Sequence, residues 1–202
     1  MVGMVACTML FCLASGHFDL SVEAVVAFSG VLAVVVVNAT GSVVLGIAVG
    51  VLAGGVVGVV NGTIIAVFRI NALITTLATM QIVRGLGYLV SGGKAVGATN
   101  ENFYLLGNSA FCGVPTPVWI TLICFITFGI LLRHTTFGRY TLALGGNEQA
   151  AWLGGVSTAR IKIIIFAAQG LLAGFAGVVL ASRLTSGQPN TSQGFALEVI
   201  SA

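Results

Sequence analysis

Asp19 and Glu23 stand four residues apart in Gly16-His17-Phe18-Asp19-Leu20-Ser21-Val22-Glu23. If this stretch is helical, both carboxylates share one face. A carboxylate at membrane depth is costly and belongs against a cavity or in a bundle interior; alternatively, Asp19 caps a helix starting near Leu20. Arg84 lies within the apolar run Thr79-Met80-Gln81-Ile82-Val83-Arg84-Gly85, where it either snorkels to the interface or pairs with an interior carboxylate or backbone carbonyl. With Ser21 and Asn61, these polar groups either line or support a route through a membrane, or only brace the fold. Acid-base catalysis is not supported. His17 and His134 stand alone, no nucleophile-base pair can be drawn, and Ser91-Gly92-Gly93-Lys94 lacks P-loop spacing. No cofactor, metal or nucleic-acid partner is expected.

A second polar feature, Arg133 to Lys162, lies between two apolar runs and has an Ala/Gly-rich helical centre. A basic-flanked loop carrying a small helix reads as a docking surface.

Gly46, Gly50, Gly54, Gly58 and Gly62 recur every fourth residue through one span. In lipid such a ladder lets two backbones approach closely. It serves either helix packing within one subunit or a seam between two copies.

The elements that position these groups follow from composition. Hydrophobic residues make up 57% and charged residues 6%, and the mean hydropathy is +1.10, which places the chain in a bilayer. Candidate helices cover Leu20 to Val37, Val43 to Phe68, Ala72 to Val90, Val118 to Leu132 and Ile161 to Ala181, against the ~20 residues a bilayer core requires. Val118 to Leu132 is short. Val2 to Ser15 resembles the remnant of a span, and the tail from Phe195 enters another apolar stretch, so both ends look cut. Arg69, Arg133, Arg139, Arg160 and Lys162 fall on one side of this topology, Lys94 and Arg183 on the other, which puts the 133–162 loop in the cytoplasm and the Ser91 to Pro117 connection outside. Cys7, Cys12, Cys112 and Cys124 lack zinc or redox spacing, so neither a disulfide nor a metal site is assigned. The expectation is one all-α, polytopic transmembrane domain over 1–202.

Phe137-Gly138-Arg139, Gly145-Gly146-Asn147-Glu148-Gln149-Ala150-Ala151 and Gly154-Gly155-Val156 resemble the coupling-helix region of bacterial sugar ABC transporter permeases of the ribose, xylose and arabinose class. Asp19-Leu20-Ser21-Val22, Asn61-Gly62, Thr76-Leu77-Ala78-Thr79-Met80, Arg84-Gly85 and the tail residues Arg183, Ser186, Pro189 and Gly194 agree with it. Within the class, Ile70 to Gly85 and Arg183 to Pro189 look most like the arabinose permeases. The resemblance implies an inner-membrane importer of a pentose. It also implies two cytoplasmic ATPase subunits, coupled through Arg139, Gly146, Asn147, Glu148, Ala150 and Ala151, a soluble sugar-binding protein outside and a second permease copy. ATP hydrolysis would then reside in a separate subunit. Glu23 departs from the family, which usually has a small residue there. A secondary transporter or channel is the rival reading, kept open by Asp19 and Glu23.

Overall fold

The computed structural model describes residues 1–111 and 113–202. The expectation for Cys112 lies outside the described residues; Cys7, Cys12 and Cys124 are buried free thiols. The architecture is an all-α polytopic bundle. Among the described residues, five helices are long and apolar enough to cross a membrane: α2 (Val22–Thr40), α3 (Val43–Val67), α4 (Ala72–Ser91), α6 (Thr116–His134) and α9 (Thr158–Leu184). A shorter apolar helix, α1 (Val2–Ala14), precedes them. Between them lie α5 (Glu101–Asn108), α7 (Thr136–Gly146) and α8 (Glu148–Leu153), and α10 (Phe195–Ser201) follows.

Polar residues set the helix starts. Side chains of Ser42, Asn71, Asn100, Thr135 and Asn147 accept hydrogen bonds from backbone N–H groups in the first turns of α3, α4, α5, α7 and α8, satisfying donors that have no partner within the helix. The span read as short, Val118 to Leu132, is a 19-residue helix. It begins at Thr116, with Pro117, whose fixed φ suits a first turn, as its second residue, and Arg133 and His134 complete its last turn.

The interior is built from α2, α9 and the glycine face of α3. A Cβ on Gly54 would overlap the Gly170 carbonyl oxygen, one on Gly58 that of Phe166, and one on Gly62 would lie 2.8 Å from Ile163 Cα. Higher up, Gly46 faces Val37, and a Cβ on Gly50 would lie 2.8 Å from the Ser29 carbonyl oxygen. The ladder therefore lets α3 lie flush against α9 and α2 within one chain. By contrast, Ile123, Phe125, Ile126 and Ile130 on α6 are more than half exposed, a surface suited to hydrocarbon.

Arg69, Arg133, Arg139, Arg160 and Lys162 all lie at one end of the bundle, the basic end. At the opposite end the Ser91 to Pro117 connection is not a plain exposed loop. It contains α5, which buries Phe103 and Gly107, and β1 (Val96–Gly97), which pairs antiparallel with β4 (Ser186–Gly187) in the register Val96 to Gly187. A second two-residue pairing joins β2 (Ala110–Phe111) to β3 (Val114–Pro115). After β4 the chain turns back along α2, where a Cβ on Gly187 would lie 2.6 Å from Val31 Cα. It reaches α10, whose Phe195, Ala196 and Val199 join the core with Val5, Met9 and Val22.

Candidate functional site

Two polar groupings stand out, one in the interior and one at the basic end. In the interior, α2 begins at Val22 rather than Leu20, with Ser21 as its N-cap. Asp19 is therefore not the cap. Its Oδ1 accepts from the Ser21 backbone N–H at 2.9 Å and from Ser21 Oγ at 2.6 Å, folding the carboxylate over the start of α2. Nor does Asp19 share a helical face with Glu23, because it lies outside the helix.

From Ser21 a chain of bonds crosses to α3 and α4. Asn61 Nδ2 donates to Ser21 Oγ at 2.9 Å, and Thr79 Oγ1 donates to Asn61 Oδ1 at 2.7 Å. Asp19, Ser21 and Asn61 are each at most 1% exposed. A buried amide with both ends bonded fixes the relative position of three helices.

Of the two roles open to Arg84, the structure takes pairing. Its guanidinium forms an ion pair with Glu23, both side chains being mostly buried. The other Glu23 oxygen accepts from the Gly194 backbone N–H at 3.0 Å. One carboxylate on α2 thus holds α4 and the start of α10 together.

At the basic end the polar loop folds as two helices. The Asn147 side chain accepts from Ala150 N–H at 2.9 Å and starts α8. Ala151 is buried against the bundle, whereas Trp152 is 65% and Leu153 78% exposed. Glu148 is tied to α9 by Lys162, whose Nζ lies 2.7 Å from Oε1 and 2.8 Å from Oε2. Ala150 on this helix and Arg139 and Gly146 on α7 are exposed.

The two groupings meet at the connection between α1 and α2. A Cβ on Gly145 would overlap the Ala14 carbonyl oxygen, so the end of α7 rests directly on the end of α1. Phe11 of α1 stacks on Phe137 of α7 with ring centroids 5.6 Å apart. In the same connection His17 Nδ1 lies 2.7 Å from the Ser15 carbonyl oxygen, and its ring meets Phe166 edge-on at 6.3 Å. Burial, aided by the Lys162 charge, pushes the His17 pKa down; the Ser15 bond opposes this. Asp19, also in this connection and outside the spanning helices, is pushed up to about 6 by burial, against the two Ser21 bonds that pull it down.

The family described as branched-chain amino acid transport system / permease component matches residues 1–202. The chain belongs to this permease family. It is 60% identical over 202 residues to the L-arabinose transport system permease protein AraH of Escherichia coli K12, covering 100% of the chain and 62% of that relative. With the L-arabinose ABC transporter permease protein AraH of Azospirillum brasilense the identity is 55% over 202 residues, 100% of the chain and 60% of the relative. The ribose import permease protein RbsC of E. coli K12 is 39% identical over 197 residues, 96% of the chain and 61% of the relative. The chain spans about three fifths of the length of the curated relatives it matches. No solved structure matches it.

Several members of these two groupings escape a reading of the sequence. Thr79 was legible only as part of a motif, and Lys162 only as a topology marker and the basic flank of the polar loop, although its place in the second turn of α9 makes it the partner of Glu148. Gly194 was legible only as part of the resemblance, and its bond to Glu23 is made through the backbone, which carries no sequence signal. Gln169 is a lone amide in the apolar run of α9; it is fully buried, and neither end of its amide has a partner. Among the described residues no group of three or more His, Cys, Asp or Glu could hold a metal ion.

Proposed function

We propose that this chain is part of the membrane permease of an ATP-driven importer that carries a pentose, L-arabinose, across the bacterial inner membrane. The observation that carries this reading is α8. It is a six-residue helix strapped to α9 through Glu148 and Lys162 and standing at the basic end with Trp152 and Leu153 outward. A short helix seated on one rigid span and offering apolar side chains to a partner is suited to receive motion from outside the bundle.

The abundance of Arg and Lys at that end supports a cytoplasmic orientation. The partners are then cytoplasmic ATP-binding subunits, where hydrolysis takes place. Beside them stand a sugar-binding protein on the opposite face and a second permease copy. Movement of α8 passes to α9, and through the contact of Gly145 with Ala14 to the α1–α2 connection and the bonds among Asp19, Ser21, Asn61 and Thr79. In this scheme the buried residues Asp19, Ser21 and Asn61 hold the helices that flank the route in register. The partly exposed Arg84, braced by Glu23, borders the route itself.

The test is capture of the ATP-binding subunit by the full-length parent protein, with and without Glu148→Arg, alongside ATP-dependent uptake of labelled L-arabinose into vesicles. Loss of coupled uptake in the variant supports the reading. Uptake that proceeds without ATP would replace it with a secondary transporter.

A further inference from the structure

At the end opposite α8, a cleft of about 310 Å³ is lined by Ala98, Asn100, Glu101, Tyr104 and Thr185, within the size range of small-molecule sites. Its walls are fixed from behind. Asn38 accepts from Thr99 N–H and donates to the Gly97 carbonyl oxygen, and Ala98 N–H donates to the Thr185 carbonyl oxygen at 2.9 Å. Ser182, fully buried, donates to the Phe103 carbonyl oxygen at 2.6 Å and accepts from Gly107 N–H at 2.8 Å, which clamps α5 onto the last turn of α9. Thr185 is held in the left-handed region at φ 53°, a costly setting for a β-branched residue that is sustained where the surroundings over-determine it.

Within this rigid frame, the Asn100 side chain is already engaged, donating to the Gly41 carbonyl oxygen at 2.8 Å and accepting from Asn102 N–H at 3.0 Å. The groups left to face the cleft are the Glu101 carboxylate, which neither ion pair among the described residues uses, and Tyr104, 48% exposed. A carboxylate offers paired acceptors, and an aromatic ring offers a flat apolar face. No lining side chain is cationic, which disfavours anionic ligands. A cation, or a neutral polyol with adjacent hydroxyls and a C–H face, can use both groups; the sugar-permease reading selects the polyol.

We infer that this cleft is a pentose subsite on the entry side of the permease, with Glu101 accepting from adjacent sugar hydroxyls and Tyr104 stacking on the ring. The inference rests on the sugar-permease reading and adds to it a place where the released sugar pauses before the bundle opens. Its affinity is weak, since the cleft is open on one side.

Saturation-transfer NMR on the full-length permease in detergent, with free L-arabinose as probe and methylammonium as a non-sugar control, tests it without any transport step. Tyr104→Leu and Glu101→Gln should each weaken the apparent affinity for L-arabinose roughly five- to tenfold, the loss of one polar or ring contact, while Tyr104→Phe retains it. Both positions are exposed, so the variants should fold; unchanged thermal midpoints check this. Equal saturation of L-arabinose in wild type and both variants overturns the proposal. So does a response to methylammonium alone, or variants that lose capture of the sugar-binding protein but still bind free sugar, which would make the cleft a protein-docking surface. ATP-independent uptake would remove the importer reading and leave this comparison standing.

Discussion

Glu148 on α8 and Lys162 on α9 form a two-oxygen ion pair, with Nζ at 2.7 and 2.8 Å, and the two ends of the pair differ in exposure. The Glu148 side chain is 50% exposed, that of Lys162 only 10%. Taken as a surface pair it contributes at most about 1 kcal/mol. Its removal from the Glu148 side is costlier, because it leaves a buried ammonium without a partner. Glu148→Arg places a like charge against that ammonium and, on the proposed importer function, should cut L-arabinose uptake by the full-length protein about tenfold or more while ATP hydrolysis continues. Adding Lys162→Glu restores the pair with its sign reversed and should recover most of the uptake. Failure of the exchange to restore uptake would mean that Glu148 acts on the partner protein rather than on α9.

Two neighbouring glycines should respond in opposite ways. A Cβ on Gly145 would overlap the Ala14 carbonyl oxygen, whereas one on Gly146 would meet nothing within 4 Å. The Gly145 contact is with backbone, so no rotamer change relieves it. Gly145→Ala should destabilise the protein by about 1–3 kcal/mol, the range for overpacking. Gly146→Ala at the end of α7 should be neutral or stabilising by up to about 1 kcal/mol, from helix propensity. Thermal midpoints of the two variants in one detergent decide it, and equal shifts would contradict the close contact of α7 with α1.

The bundle itself was legible because a spanning helix advertises itself locally: about 20 apolar residues without charge are read from one window of sequence. The glycine ladder was legible for the same reason, though not which helices it would meet. The pairings were not. Glu23 and Arg84 are 61 residues apart and Ser21 and Asn61 are 40 apart. Their meeting depends on how α2, α3 and α4 are seated, which the glycine contacts determine only in three dimensions. The Asp19 reading failed by two residues for a local reason: its carboxylate bonds to Ser21, and α2 starts at Val22. The return of the chain after β4 was hidden because Ser186, Pro189 and Gly194 carried only the family resemblance, and only the packing of Gly187 on Val31 shows that it runs along α2.

Glu23 has two partners and Arg84 one, which sets an order on their variants. Arg84→Met leaves Glu23 still accepting from Gly194 N–H, whereas Glu23→Met strands both the Arg84 guanidinium and that N–H. Glu23→Met should therefore be the more damaging of the two. The double variant should lose less stability than the sum of the singles by about 1–3 kcal/mol, the coupling expected of a mostly buried pair. Thermal unfolding of the four proteins gives the cycle, and strict additivity would show that the pair contributes nothing as a pair.

Asp19 gives the pH dependence its sign. Burial raises its pKa from 3.8 to about 6, so the folded protein binds this proton more tightly than the unfolded chain. The resulting stability is present in full below the unfolded pKa and is lost as pH rises through about 6. Asp19→Asn keeps an oxygen to accept from Ser21 N–H and Oγ but carries no charge to bury. The variant should match the wild type near pH 4 and exceed it in thermal midpoint above pH 7, the difference opening between those limits. A constant offset across the range would mean that Asp19 does not titrate in the folded protein. A deficit that grows with pH would mean instead that its charge stabilises the α1–α2 connection, through the two Ser21 bonds that already oppose the effect of burial.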